Sequence, residues 1–155
     1  MGGSGGAGFW AFALEFYDRP AAAETLLRLQ DDHGADVMGL LWLIWGAALG
    51  RRLDADDYRA FKTKTATQRA AAAERRQARR SLKSIGGAQY EAAKVAELAA
   101  ERQVAAAAPE AVRATASSSP APVGDNLALA FPEMIGAPCR ARELLSRLAS
   151  TALVD

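Results

Sequence analysis

"DVMGLLWLIWGAALG", residues 36–50, decides the fold. From Val37 to Leu49 it runs thirteen residues without a polar side chain. That is too short to cross a bilayer, where about 20 residues are needed. A helix apolar on every side belongs at the centre of a domain. Gly39, Gly46 and Gly50 fall at i, i+7 and i+11 and share one side. Each glycine costs roughly 1 kcal/mol relative to alanine in a helix, so close approach of another helix is the expected compensation. A different side carries Met38, Trp42, Trp45 and Leu49. Such a stripe ordinarily packs in a core, and its alternative use is a small-molecule pocket at Met38, Trp42 and Trp45.

Upstream lies "LQDDHGADV", residues 29–37, with four ionisable side chains beside the uncharged run. Read as a joint, each residue has a place. Pro20 opens a helix whose apolar face holds Ala22, Ala23, Leu26, Leu27 and Leu29. His33 stands in its last turn, Gly34 turns the chain in the left-handed conformation, and Asp36 caps the central helix. Asp31 serves the turn, and Gln30, beside the apolar face, needs backbone partners near the helix end. Read as a metal site, the same residues fail on geometry. Consecutive helical residues fan out by about 100° each, whereas ligands converge at i, i+3 or i+4. The joint reading is preferred, and no metal or cofactor is expected.

Downstream, Asp54 is an N-cap, Asp56 and Asp57 complement the helix dipole, and Leu53 with Tyr58 has the spacing of a hydrophobic staple. The helix so opened is expected to continue to about Ser84. Gly86-Gly87 breaks it, and "AQYEAAKVAELAAERQVAAAA", residues 88–108, is a second helix returning antiparallel. The hairpin has few large apolar residues and is expected to pack through alanines and to project from the core. Residues 109–124, "PEAVRATASSSPAPVG", have the composition of a linker. Asp125 caps a short helix ended by Pro132. Pro138 opens an amphipathic helix with Leu144, Leu145 and Leu148 on one face, expected to fold back on the core.

Strand signals are absent. The expected fold is therefore all-α, with a flexible tail at 1–8, an aromatic-rich helical core at 9–57, a basic, alanine-rich hairpin at 58–108, a linker at 109–124 and C-terminal helices at 125–154 that join the core.

The residues so placed carry a likeness. "FWAFALEFYDRP", "LLRLQDDHGADV" and the tryptophan-rich helix resemble an uncharacterised family of short bacterial helical proteins. Its signature is Trp-x-Phe-Ala-Leu-x-x-Tyr followed by Leu-Gln-Asp-x-x-Gly-x-Asp-Val-Asn. The matching positions are Trp10, Phe12, Ala13, Leu14, Tyr17, Pro20, Leu29, Gln30, Asp31, Gly34, Asp36 and Val37, and "YEAAKVAELAAER" resembles the family's later helix. Met38 stands where the family has asparagine, and Gly39 where it has leucine. The resemblance implies an all-helical intracellular domain and brings no activity with it.

Composition narrows the function. Of 155 residues half are apolar, only 7% are aromatic, and the net charge is +1. Residues 51–83, however, hold eleven bases and four acids. Arg69, Arg76, Arg80 and Lys83 form one stripe at i, i+7, i+11 and i+14, flanked by Arg75 and Arg79. The stripe is a solvated face, a phosphate-binding surface or a docking site for an acidic protein. Without aromatics beside it, any nucleic-acid binding would be independent of sequence. The single histidine, and the lack of any serine or cysteine in a nucleophile context, disfavour hydrolytic catalysis. One cysteine, Cys139, permits no internal disulfide and suits a cytoplasmic location, as does a glycine-rich start without a basic signal region. The sequence thus favours a non-enzymatic module for protein interaction. RNA binding through the Arg69–Lys83 face is the alternative, and a small-molecule site at the tryptophan helix the third reading. The hairpin's thin apolar seam also permits self-association.

Overall fold

The computed structural model describes residues 5–109 and 123–153, with side chains from Gly8 onward. These residues form eight α-helices, without a β-strand: α1 (Gly5–Tyr17), α2 (Pro20–His33), α3 (Val37–Ala48), α4 (Ala55–Lys64), α5 (Ala66–Leu82), α6 (Gly87–Ala107), α7 (Val123–Ala128) and α8 (Pro138–Ala152), with a 3-10 turn at Phe131–Glu133. Of the expected tail, residues 1–4 lie outside the described residues, and α1 runs back to Gly5. Of the expected linker, residues 110–122 also lie outside them.

Helix α3 is central. Val37 to Ala47 are all buried, so every side of it must meet another element. Phe9 of α1 lies against Trp45, with ring centroids 5.3 Å apart, and Phe61 of α4 stacks on Trp42 at 5.0 Å. The indole Nε1–H of Trp42 donates to the Pro109 carbonyl at 2.9 Å, holding the end of the hairpin to the core. Close approach occurs at two of the three glycines. A Cβ at Gly39 would stand 2.8 Å from the Tyr58 hydroxyl, and one at Gly46 would stand 2.6 Å from Leu53 Cδ1. Gly50 instead takes φ 76° and turns the chain after the helix.

Local signals explain the helix ends. Gly34 takes φ 65°, its amide donates to Gln30 O at 3.1 Å, and the Ala35 amide donates to Leu29 O at 3.1 Å, closing α2. Asp54 and Asp57 form a reciprocal capping box at the start of α4, with side chain to backbone distances of 2.8 and 2.9 Å. Two boundaries differ from the sequence reading. The long helix expected to Ser84 is divided at Thr65, which is fully buried at φ −105°. Its hydroxyl donates back to the Phe61 carbonyl at 2.7 Å and accepts from Arg69 Nε at 2.9 Å. Back-bonding of this kind bends helices. Asp125, expected as a cap, instead lies in the first turn of α7. The apolar face of α2 is also displaced: Ala22, Thr25, Leu26 and Leu29 are buried, and Leu27 is exposed.

Asn126 is the polar centre of the C-terminal attachment. Fully buried, it accepts from the Leu53 amide at 3.0 Å and donates to the carbonyls of Leu43 at 3.2 Å and Arg51 at 3.0 Å. Helix α8 closes the core by laying Ala141, Leu144, Leu145 and Leu148 against α2 and α7. Helices α5 and α6 pair along their length as an antiparallel hairpin. Ala72, Val104 and Ala105 bury its inner end, α6 also packs on α1, and the tip at Lys83–Ile85 is exposed.

Two substitutions test this packing. Gly46→Leu should overpack the contact with Leu53 and cost roughly 1–3 kcal/mol, read as a lower melting temperature. Asn126→Ala should cost about 1–3 kcal/mol in chemical denaturation, because it strands a buried amide and two carbonyls. An unchanged midpoint for either variant would show that the contact carries no weight.

Candidate functional site

The residues of the α2–α3 joint are brought to one place, where the C-terminal segment docks. His33 is buried, and its Nδ1–H donates to the Ile135 carbonyl at 2.7 Å, while the Ile135 amide donates to His33 O at 2.9 Å. That bond fixes the ring's tautomer. Gly136, at φ 89°, sits where a Cβ would come within 3.1 Å of both Asp32 O and His33 Nδ1. Asp31 is paired with Arg80 of α5. Asp36 occupies the N-cap position of α3 without making the side-chain cap bond, and faces Arg69 at 3.5 Å. Burial pushes its carboxyl above the usual range, against the opposing pull of the Arg69 guanidinium. Gln30 accepts the Gly34 amide through its backbone and lines a groove on the other side. Among the described residues no three or more His, Cys, Asp or Glu side chains converge where a metal ion would sit.

The basic stripe is largely turned toward carboxylates. Arg69 reaches Asp36, Thr65 and the Lys62 carbonyl. Arg76 lies 3.3 Å from Glu97 and 3.9 Å from Glu101, and Arg79 is bonded to Glu97. Arg80 is taken by Asp31. Arg75 and Lys83 are exposed and make no ion pair among the described residues. The tryptophans are similarly occupied. Trp42 stacks on Phe61 and Trp45 lies tilted against Phe9 in the core, and of the Met38, Trp42 and Trp45 set only Met38 lines the groove.

That groove, of about 610 Å³, runs between α1, the joint and α6. Its floor is Ala13, Val37, Met38 and Leu41. Its rims carry Leu14, Tyr17, Leu27, Val95 and Leu98, which are five of the nine large apolar side chains most exposed among the described residues. Exposed apolar groups scattered singly need no explanation, but a contiguous patch marks an interaction site. A second, more open hollow of about 660 Å³ lies beside Tyr58, Lys62 and Glu133. There the Tyr58 hydroxyl donates to Glu133 at 2.6 Å and Lys62 pairs with the same carboxylate, so its polar groups satisfy one another.

Glu101 is the unusual group on the groove wall. Burial, with the nearby Glu97 carboxylate adding to it, pushes the Glu101 carboxyl up to about 7, while Arg76 and Arg79 oppose the shift. Burial also raises the Tyr17 hydroxyl, and Glu101 and Glu97 raise it further. The spacing of Glu97 and Glu101 at i, i+4 was legible beforehand, but their distances to α1 and to the Arg76 and Arg79 heads were not.

Residues 8–107 match a family described as "Protein of unknown function (DUF2390)". The chain belongs to this family. The match spans α1 to α6 and therefore includes the joint, the hairpin and the whole groove. No curated protein and no solved structure matches the chain. Among the described residues no helix is long and apolar enough to cross a membrane.

A carboxyl raised from its ordinary 4.5 to about 7 holds a proton in the folded state that the unfolded chain has released across that window. The folded state binds more protons there, so stability falls as pH rises through it. Glu101→Gln should therefore flatten the stability profile between about pH 5 and pH 8. It should be more stable than the parent at pH 8 by on the order of 1–2 kcal/mol. Parallel profiles from denaturant titrations at both pH values would contradict the assignment.

Proposed function

We propose that this protein is a non-enzymatic interaction module that seats an amphipathic segment of a partner protein in the groove between α1 and α6. One observation carries the reading: five of the nine large exposed apolar side chains among the described residues are gathered on the rims of a single groove. Helix-in-groove recognition uses such a surface, with apolar anchors at i, i+3, i+4 and i+7 entering between rims. Leu14 and Leu98 stand on opposing helices with about half their surface exposed, the arrangement that a bound segment would cover. RNA binding through the Arg69–Lys83 face has less support, because four of the six cationic groups there already face carboxylates.

A fluorescent helical peptide with leucine on one face and glutamine on the other, titrated against the protein, should give saturable anisotropy. Leu14→Asp combined with Leu98→Asp should weaken that binding at least about tenfold, since it places charge in the apolar contact. Both sites are half exposed, so the melting temperature should stay nearly constant. Binding that survives the double substitution, or no binding at all, would overturn the groove reading. Dimers in sedimentation that the same double variant dissolves would make a second copy of this chain the occupant, and would equally overturn a partner segment.

A further inference from the structure

We infer that the groove selects a partner segment carrying a lysine-type cation, and that Glu101 is the group that receives it. The inference rests on the groove reading above and specifies the chemistry of the segment.

Charge complementarity within the groove carries the argument. Its lining holds two cations and three carboxylates: Arg79, Lys94, Asp18, Glu97 and Glu101. Both cations are engaged. Arg79 is bonded to Glu97, while Lys94 lies 3.2 Å from Glu91 and over the Tyr90 ring at 5.4 Å. Glu97 is satisfied at close range by Arg79 and by Arg76 at 3.3 Å. Glu101 is left with Arg76 at 3.9 Å, a guanidinium already nearer to Glu97. Asp18, at the open end, makes no ion pair among the described residues. The groove therefore presents carboxylates short of partners and no cation short of one, which favours a cationic ligand over an anionic one.

The position of Glu101 suits the role. It follows Leu98 by three residues and so shares its face of α6. A segment whose apolar side chains cover Leu98 and Leu14 brings its next polar position over Glu101. The groups facing that carboxyl are Tyr17 from α1, Asp36 at the start of α3, Arg76 and Arg79 from α5, and Glu97 on its own helix. These are two carboxyls, two guanidiniums and a neutral phenol, so once Glu101 is ionised an arriving ammonium meets three carboxylates against two guanidiniums. Partial burial strengthens the pairing, because a half-desolvated charge pair is screened less than one on the open surface. The buried carboxyl, protonated in part near neutrality, ionises fully when a cation is delivered, so the selection sharpens as pH rises.

The test uses two helical peptides of identical sequence, leucine on one face and glutamine on the other, with lysines flanking the leucine face. In one the lysines are free and in the other they are acetylated, which removes charge and keeps length. With the parent protein at about pH 8 the free-lysine peptide should bind about tenfold tighter, and the ratio should shrink toward one at about pH 6. Glu101→Gln should abolish the ratio at both pH values while the acetylated peptide still binds, and Glu143→Gln on α8 should leave the ratio intact. If Glu101→Gln fails to fold, the peptide comparison on the parent protein still decides the cation selection, and retention of the ratio in Asp18→Asn leaves Glu101 as the receiving carboxylate. Equal binding of the two peptides at about pH 8, both lost in the Leu14→Asp/Leu98→Asp variant, would overturn the cation and leave the groove reading standing. A ratio that disappears in Asp18→Asn and persists in Glu101→Gln would also overturn it, by moving the receiving group to the groove mouth. Failure of both peptides to bind would remove the groove reading itself and the inference with it.

Discussion

The burial of α3 is the constraint from which the other contacts follow. A helix with no polar side chain cannot present any face to water without exposing several large apolar groups, so it must be enclosed. Enclosure of one helix needs neighbours on every side, and each neighbour contributes a different device. Helix α1 supplies Phe9 against Trp45, and α4 supplies Phe61 against Trp42 and the Tyr58 hydroxyl against Gly39. The C-terminal end supplies Asn126, whose amide donates to the Leu43 carbonyl at 3.2 Å. Gly39 and Gly46 show why the enclosure is tight. Both destabilise the helix locally, and both are occupied in space by Tyr58 and Leu53. The apolar surface those two side chains bury offsets what the glycines lose, at roughly 25 cal/mol per Å².

The hairpin solves a different problem. Alanine gives helical propensity but little area to bury, so α5 and α6 cannot be held in register by a hydrophobic seam alone. Charged pairs take that part. Arg76 and Arg79 straddle Glu97, whose side chain is only 12% exposed, and a half-buried guanidinium–carboxylate contact of fixed geometry specifies register better than an exposed pair. Arg80 to Asp31 and Arg69 to Asp36 then tie the same helix to the two ends of the joint. The sharp excess of positive charge in residues 51–83 is thus largely matched by carboxylates from other segments. Arg75 and Lys83 stay exposed without an ion pair among the described residues, and on the groove wall Glu101 is left with only a distant cation.

Much of this organisation was legible in the sequence because it is written locally. Pro20, Gly34, the Asp54–Asp57 pair and Pro138 mark helix ends through chemistry confined to a few neighbouring residues, and the all-round apolarity of α3 needs no partner to be recognised. What was not legible depends on groups far apart in the chain. Thr65 looks like any residue in a polar helix until its burial forces the hydroxyl onto the Phe61 carbonyl. Asn126 reads as the start of a short helix, yet its three hydrogen bonds are to residues more than seventy positions away. Leu27 sits on the apolar side by periodicity and yet is exposed on the groove rim, while Thr25 is buried with its hydroxyl on the Ala21 carbonyl at 2.9 Å. The glutamates that answer the arginine stripe could be named from the sequence, but only the fold decides that Glu97 takes two partners and Glu101 keeps a distant one.

That division has a bearing on function. Stability alone would favour leucine or alanine at position 101, or a closer cation, since a carboxyl raised to about 7 opposes folding at neutral pH. It would also favour polar residues at Leu14 and Leu98, which gain little by remaining half exposed. At the start of α4 and around α3 the chain follows such rules closely: the Asp54–Asp57 capping box is formed, Gly39 and Gly46 are filled against, and the buried Asn126 is satisfied. Residues that break local rules without a compensating contact cluster where a protein meets something else. Here two such exceptions, an apolar rim and an under-partnered carboxyl, share one groove, and a segment that is both apolar and cationic satisfies the two at once.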